Sequence, residues 1–210
     1  MGEIYILSEK SFEGAKNLPV IKINFLDIKV DLDGYNALVF TSKNGVEAID
    51  RIDKSWKDKE IYSIGSGTTK AIKDKGVVAA YTAKSSYGDD FAKEIIPHLK
   101  GKRALFLRAK KVTSNLNAIL KNNGINLDEK IVYETVCNSY LKESPKEGSV
   151  IIFSSPSTIE CFFKLYDWKD SYKAVVIGTK TASFMPKEIE FQISKTQTIP
   201  ACIELAKTLL

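Results

Sequence analysis

The feature that most constrains the fold of this 210-residue chain is an internal repeat with one constant spacing. Residues 38–42 (LVFTS) are similar to residues 151–155 (IIFSS), which lie 113 positions later (151 − 38 = 113). Residues 64–68 (IGSGT) are similar to residues 177–181 (IGTKT) at the same offset. Two strand–turn–helix units that keep one offset indicate a duplication. Because the array is too short for a solenoid, they predict two similar α/β domains.

Short apolar, β-branched runs alternate with amphipathic stretches along the whole chain. The predicted strands are residues 3–7, 37–40, 61–64, 103–107, 150–153 and 174–177. The predicted helices are residues 45–52, 69–75, 112–122, 157–166 and 201–210. This alternation is typical of parallel sheets with crossover helices, so the predicted fold class is α/β.

The order of the repeated elements predicts that one of the two domains is discontinuous. Residues 6–10 are similar to residues 106–110, so the N-terminal strand belongs with the C-terminal half of the chain. We therefore expect one domain made of residues 1–20 plus 145–210, and a second domain, residues 34–130, inserted into it. Residues 21–33 and 131–144 contain alternating apolar and polar residues. They are predicted to pair as a two-stranded interdomain linker that leaves an adjustable cleft.

Composition narrows the class of protein. The chain carries 31 basic and 26 acidic side chains, a net charge of +5, which suits either an anionic ligand or a solvated lysine-rich surface. His98 is the single histidine, which excludes a site of several histidines within one chain. The three cysteines, Cys137, Cys161 and Cys202, are widely spaced and form no C-x-x-C. That pattern argues against a disulfide framework, a zinc site or a redox motif.

Targeting signals are not apparent in the sequence. The N-terminus lacks the basic start and apolar run of a signal peptide, and no apolar run approaches the ~20 residues that span a bilayer. Unpaired cysteines fit a reducing compartment, so we expect a cytoplasmic protein without a membrane partner.

Hydroxyl-rich loops follow the predicted strands, where parallel α/β sheets bind their ligands. Unpaired N–H groups at helix starts attract anions, and Ser and Thr side chains add donors. Each single hydroxyl can equally act as a plain N-cap, but together the loops predict a ligand with several anionic groups. The candidate binding residues in these loops are Thr41, Ser42, Lys43, Asn44, Gly65, Ser66, Gly67, Thr68, Ser154, Ser155, Ser157, Gly178, Thr179, Lys180 and Thr181.

Basic residues cluster around the predicted strand 103–107. The cluster has no interleaved aromatic platform beyond Phe106, so it does not indicate a nucleic-acid partner. Arg108, at the end of that strand, can hold a carboxylate through two parallel hydrogen bonds. The run 65–70 (GSGTTK) lacks the last glycine of a dinucleotide fingerprint and is not a P-loop, which weakens a nucleotide site.

These motifs, taken in order, resemble the uroporphyrinogen-III synthase family over nearly the whole chain. The stretches that carry the resemblance are 39–46 (VFTSKNGV), 64–68 (IGSGT), 105–108 (LFLR), 132–135 (VYET), 151–157 (IIFSSPS) and 177–182 (IGTKTA). The resemblance implies two flavodoxin-like domains joined by a two-stranded linker. It also implies a cytoplasmic lyase of tetrapyrrole (haem) biosynthesis that uses no cofactor and no metal.

The resemblance further implies the substrate and the reaction. Hydroxymethylbilane, a linear tetrapyrrole with eight carboxylates, is closed to uroporphyrinogen III with loss of water and inversion of the last pyrrole ring. Tyr133 matches the family's tyrosine and is the candidate catalytic residue, either protonating the departing hydroxyl or packing as a hinge residue. We expect a monomer that takes up its substrate in transient contact with the preceding pathway enzyme.

The sequence departs from the family pattern in two loops. Residues 8–10 read Ser-Glu-Lys where the family often has an arginine, and Thr179 and Lys180 stand where a proline and a hydroxyl residue are usual. An alternative function is a hinged two-domain binding protein for a small polyanion, without catalysis. A third hypothesis, a flavodoxin-like nucleotide protein, is opposed by the incomplete glycine motifs.

Overall fold

The computed structural model describes residues 2–85, 87–141 and 143–210. The chain divides into two compact units: unit 1 is Met1–Lys22 with Thr135–Leu210, and unit 2 is Ile23–Glu134. Both are built from parallel strands and helices, so the predicted α/β class is confirmed. Within the described parts of the chain, no helix has the length and apolar character needed to cross a membrane.

Strands and helices alternate along most of the chain. In chain order, the strands are β1 (Ile4–Ile6), β2 (Lys16–Asn17), β3 (Ile21–Phe25), β4 (Ala37–Phe40), β5 (Glu60–Ser63), β6 (Tyr81–Thr82), β7 (Arg103–Ala109), β8 (Asn126–Cys137), β9 (Val150–Phe153), β10 (Lys173–Val176) and β11 (Phe191–Ile193). The α-helices are α1 (Lys43–Ile52), α2 (Gly65–Asp74), α3 (Gly88–Leu99), α4 (Leu116–Asn122), α5 (Pro156–Leu165), α6 (Thr179–Ala182) and α7 (Ile199–Lys207). A 3₁₀ helix, Lys54–Asp58, follows α1.

Each unit is organised around its own sheet. Unit 1 holds five strands in the order β11-β10-β9-β1-β2, and all their pairings are parallel. Unit 2 is built on six strands in the order β3-β8-β7-β4-β5-β6, with parallel pairings from β8 to β6. The central strands β4 and β9 are buried along their whole length, as expected for sheets covered by helices on both faces.

Strands β3 and β8 lie side by side and cross the boundary between the units. The Leu26 amide donates to the Val132 carbonyl, and the Asn138 amide donates to the Val20 carbonyl. Because the residue numbers run in opposite directions, the two strands are antiparallel. The predicted linker segment 21–33 contains β3, and the segment 131–144 contains the second half of β8. Their role as a hinge stays a prediction.

The 113-residue offset reappears in the element boundaries. Adding it to β4, α1 and β5 gives the bounds of β9, α5 and β10, respectively. The match ends at the next helix, since α2 has ten residues and α6 only four. The repeat thus extends to the local structure of one strand–helix–strand segment in each unit.

Several predicted boundaries are wrong. Helix α3 was not predicted, because its first turn (Gly88, Asp89 and Asp90) and the proline in its last turn obscure the pattern. Helix α4 begins at Leu116 rather than at residue 112, and α2 begins at Gly65 rather than at residue 69. The edge strands β2, β6 and β11 are absent from the predicted strands, because two or three residues are too few to show a periodicity.

The prediction that the cysteines form no disulfide is also wrong. Cys137, at the end of β8, and Cys161, on α5, are bonded, with their Cα atoms 5.1 Å apart. The third cysteine, Cys202, is free and buried in α7. Sequence spacing failed here because the pairing depends on how β8 and α5 pack.

Candidate active site

The predicted binding residues of unit 2 gather at one edge of its sheet. Strands β7, β4 and β5 are neighbours and parallel, so their carboxyl ends lie together. Thr41 and Ser42 follow β4, the Gly65–Thr68 turn follows β5, and Arg108 is the penultimate residue of β7. This is the edge at which parallel α/β sheets bind ligands.

Tyr133 reaches the same edge because the pairing of β7 with β8 is irregular. Arg108 is opposite Ile131, but the next residue, Ala109, is opposite Tyr133, so β8 carries one extra residue. A bulge of this kind bends the strand and re-aims its side chains. The Lys110 amide donates to the Tyr133 carbonyl at 2.9 Å, which fixes the backbone immediately after the bulge.

The Ser42 hydroxyl lies beside the Tyr133 phenol and acts on its pKa. Val39 is opposite Phe106, and continuing that register for three residues places Ser42 level with Ala109 and therefore in line with Tyr133. The Ser42 hydroxyl also caps α1 by accepting from the Asn44 amide at 3.2 Å. One side chain thus joins the helix start to the tyrosine.

The electrostatic environment keeps the Tyr133 phenol protonated. The residue is only 6% exposed, and this burial raises its pKa above the usual value because it disfavours the phenolate. The neighbouring Ser42 hydroxyl acts in the opposite direction, but the net change in the pKa is upward. A buried phenol with its proton in place can donate that proton to a leaving group.

Arg108 is bound to partners within unit 2. Its Nη1 group donates to the carbonyl of Ala109 at 2.8 Å, and its Nε atom lies 3.0 Å from Glu129 Oε1. The Nε–H is not aimed at that oxygen, so this contact is an ion pair without a hydrogen bond. Asn117 holds the other oxygen of Glu129 at 2.6 Å. A substrate carboxylate at Arg108 therefore has to compete with Glu129.

Glu129 and Asn117 were missed by the sequence analysis. Glu129 falls in the first half of β8, which was predicted to start at residue 131, and Asn117 lies on α4. Their sequence context contains no signal that separates them from ordinary surface residues. Their role follows from the packing of α4 and β8 around Arg108.

The start of α2 lacks a capping side chain. Its N-cap is Ile64, which makes no side-chain hydrogen bond, and Gly65 adopts a φ of +73° that favours glycine. Ser66 and Gly67 are exposed, while Thr68 is buried. No atom lies within 4 Å of the position that a Cβ on Gly67 would occupy, so this turn is open.

Unit 1 presents a second set of predicted residues at the carboxyl ends of β9 and β10. Ser155 caps α5 in a capping box with Thr158, so its hydroxyl serves the helix. Gly178 is the N-cap of α6, and the Gln197 side chain lies against it, 3.1 Å from the position of an added Cβ. Among the predicted residues of unit 1, Thr179 is exposed and Thr181 is buried. Three others are half-buried: Ser154, Ser157 and Lys180.

The loop after β1 corresponds to the departure from the family pattern at residues 8–10. The Ser8 hydroxyl accepts from the Lys10 amide at 3.0 Å, and the Asn17 side chain donates to the Ser8 carbonyl. Glu9 and Lys10 are exposed. This turn is therefore held by its own polar groups.

Other kinds of site receive little support. Over residues 2–85, 87–141 and 143–210, no group of three His, Cys, Asp or Glu side chains could hold a metal ion. A depression of about 420 Å³ in unit 2 is lined by none of the predicted site residues. Its lining residues are Val30, Asp31, Tyr35, Leu105, Asp128, Glu129 and Lys130.

The match to a known family covers almost the whole chain. The family model of uroporphyrinogen-III synthase HemD matches residues 8–204. The chain belongs to the uroporphyrinogen-III synthase family. Members of this family are cyclising hydro-lyases of haem biosynthesis.

Individual relatives agree with this assignment. The crystal structure of uroporphyrinogen-III synthetase from Helicobacter pylori 26695 is 28% identical, covers 100% of both chains and superposes with a TM-score of 0.87. The porphyrin biosynthesis protein HemD of Ruminiclostridium josui is 27% identical over 192 residues, and the chain spans only 37% of its length. A relative from Methanocaldococcus jannaschii is 29% identical, with 97% of this chain and 92% of that protein covered.

Proposed function

We propose that this chain closes hydroxymethylbilane to uroporphyrinogen III, with loss of water and inversion of the last pyrrole ring. The observation that carries the proposal is the match of the synthase family model to residues 8–204. The geometry supports it, because a protonated, buried tyrosine lies beside a hydroxyl-rich loop at the ligand-binding edge of a parallel sheet.

The chemistry that the chain must supply is modest. The terminal hydroxyl of the bilane leaves as water, so it needs a proton as its carbon–oxygen bond breaks. We assign this proton to the Tyr133 phenol. Ring closure releases one proton from the attacked pyrrole carbon, so the reaction consumes no proton overall. The overall reaction converts one bilane to one macrocycle and one water.

Isomer choice depends on how the bilane is held. Without control the bilane closes without inversion, so the protein must favour the geometry that leads to the inverted ring. We propose that substrate carboxylates bind in unit 2 at Thr41–Asn44, Gly65–Thr68 and Arg108. The carboxylate-binding residues proposed for unit 1 are Ser154, Ser155, Ser157 and Gly178–Thr181. Helix-start amides and hydroxyls suit carboxylates because they donate hydrogen bonds.

The consumption of the bilane separates catalysis from mere binding. Freshly prepared hydroxymethylbilane is mixed with purified chain, and the remaining bilane is measured by chromatography at short times. We expect consumption to exceed the rate in buffer and to increase in proportion to the chain concentration. Consumption at or below the buffer rate, with the bilane bound, would instead favour the hinged binding protein.

The proposal also covers the compartment, the oligomeric state and the source of the substrate. The chain acts in the cytoplasm as a monomer and receives the bilane in transient contact with the enzyme that makes it. The support is chemical, because a substrate that closes by itself is best passed on quickly. Sedimentation of the chain alone and with the bilane-forming enzyme tests the monomeric state and the transient contact, and a stable dimer would contradict the monomeric state.

A further inference from the structure

Three hydroxyl side chains form a closed cluster beside the Gly65–Thr68 turn. The Thr69 hydroxyl oxygen lies 2.8 Å from that of Ser63 and 3.1 Å from that of Thr82. It also lies 3.1 Å from the Gly65 carbonyl oxygen. Ser63 ends β5, Thr82 ends β6 and Thr69 lies on α2, so the cluster joins three elements at one edge of the sheet.

The hydrogen atoms of this cluster can be assigned by counting donors. A carbonyl oxygen only accepts, so the hydrogen of Thr69 goes to Gly65. Ser63 and Thr82 also lie 3.4 Å from each other, so four contacts compete for three hydrogens. We assign the hydrogens of Ser63 and Thr82 to the shorter contacts with Thr69, whose oxygen has two lone pairs for them. Every hydroxyl hydrogen is therefore used within the cluster. Since none is left for an anion, the cluster does not itself bind a carboxylate.

The cluster holds the first turn of α2 at a carbonyl, so the free N–H groups that a capping side chain would satisfy stay available. Helices α1 and α5 begin with a serine that accepts a backbone hydrogen bond, whereas Ile64 at the start of α2 cannot. Thr69 holds the Gly65 carbonyl from inside the helix instead. The glycine that it holds has a positive φ, and three of the predicted binding residues follow it directly.

The repeat shows that this fold does not need the cluster. The positions 113 residues after Ser63 and Thr69 are Val176 and Ala182, which pack in the apolar core of unit 1. Unit 1 thus builds the same strand without hydroxyls, but the turn that follows differs: Gly178 is extended, with a φ of −178°, whereas Gly65 has a φ of +73°. The polar cluster is a specific property of unit 2, which also carries Tyr133.

We propose that Thr69 is a positioning residue: through the Gly65 carbonyl it fixes the Gly65–Thr68 turn in the conformation that takes a substrate carboxylate. The inference rests on the proposed function, because the ligand is a carboxylate of the bilane. Thr69 acts through the turn and does not touch the substrate.

Three variants test this role. Thr69→Val removes the hydroxyl but keeps the shape, Thr69→Ser restores the hydroxyl, and Thr208→Val is the matched control. Thr208 also donates its hydroxyl to a helix carbonyl, that of Leu205 at 2.7 Å, but at the end of α7 in unit 1. If Thr69→Val does not fold, Thr82→Val at an exposed position removes one of the two donors to Thr69.

Two measurements are made on each variant. Backbone hydrogen exchange of residues 69–72, whose amides bond to the carbonyls of residues 65–68 in the first turn of α2, is followed by mass spectrometry and reports the turn without any need for activity. Steady-state kinetics give KM and kcat for hydroxymethylbilane. For Thr69→Val we expect exchange and KM each to rise about fivefold to tenfold, which corresponds to one lost hydrogen bond, with kcat changed less than twofold.

The outcomes are distinct. The proposal is supported if Thr69→Ser recovers the wild-type hydrogen exchange and KM, and if Thr208→Val leaves both at their wild-type values. Unchanged exchange in Thr69→Val, or faster exchange with an unchanged KM, overturns it. If the wild-type chain consumes no bilane, the proposed function fails, while the exchange data still decide whether Thr69 holds the turn.

Discussion

Ser42 lies beside Tyr133 although 91 positions separate them in the sequence (133 − 42 = 91). The two side chains meet because β4, β7 and β8 are consecutive in the sheet and the bulge in β8 shifts Tyr133 to the level of Ser42. This arrangement places the candidate proton donor directly at the start of α1, where N–H groups point towards the ligand-binding edge.

Tyr133→Phe is expected to lower kcat about a hundredfold, the lower end of the range for general acid catalysis, with little change in KM. Because the pKa of Tyr133 is raised, its proton is present at all pH values up to about 10, so this group gives no loss of activity between pH 6 and 9. Tyr140→Phe is the control, since Tyr140 is 87% exposed. A Tyr133→Phe enzyme with wild-type kcat and reduced stability would make Tyr133 a packing residue.

Arg108→Ala is expected to raise KM about tenfold, the effect of losing a charged hydrogen bond to a substrate carboxylate. Arg103→Ala is the matched control, because Arg103 begins the same strand and pairs with Asp128 at 2.9 Å at the opposite end. Both variants lose one ion pair, but only Arg108 lies at the binding edge. Equal effects of the two variants on KM would limit Arg108 to its structural pairing with Glu129.

Asp50→Asn is expected to reduce the free energy of unfolding by about 1–3 kcal/mol at neutral pH. Asp50 is buried on α1, where it pairs with Lys54 at 2.8 Å and Lys75 at 2.9 Å and accepts from the Trp56 indole. Burial alone would raise its pKa, but these three partners hold the pKa well below the usual value.

The pH dependence of this effect follows from the sign of the shift. Because the pKa is lower in the folded state, the stabilisation by Asp50 is complete above about pH 4–5 and is lost as the pH falls towards the folded pKa. Denaturant unfolding at pH 7 and at pH 3 should therefore show a larger difference between wild type and Asp50→Asn at pH 7. Asp58→Asn, at an exposed position, should show no such difference.

The strand–helix–strand segments that carry the repeat could be predicted from the sequence, because apolar strands and capping serines recur at one offset. The position of Tyr133 beside Ser42 could not, since it depends on a bulge and on the order of strands in the sheet. Glu129 became visible as a partner of Arg108 only through the packing of β8 on β7. Edge strands of two or three residues leave no periodic signal at all.

The Cys137–Cys161 bond predicts a defined thiol count. In protein purified in air and then denatured without reductant, one thiol, Cys202, should react with an alkylating agent, and all three should react after reduction. Reduction should lower the free energy of unfolding by about 3 kcal/mol in the chain-entropy model, since the bond closes a loop of 24 residues.

The oxidation state of Cys137 and Cys161 in cells tests the proposed cytoplasmic location. In a reducing cytoplasm the pair should be trapped as two thiols when cells are quenched with the alkylating agent. A Cys202→Ala variant, which should show no reactive thiol after oxidation in air, is the control. Three reactive thiols in the air-oxidised wild-type protein would contradict the disulfide.

The isomer composition of the product tests the central claim most directly. Hydroxymethylbilane is incubated with increasing amounts of the purified chain, the products are oxidised, and the type I and type III isomers are separated by chromatography. The account predicts that the type III share rises with chain concentration until it dominates, without any added nucleotide or metal. Type I product alone, formed at the rate seen in buffer at every chain concentration, would contradict it.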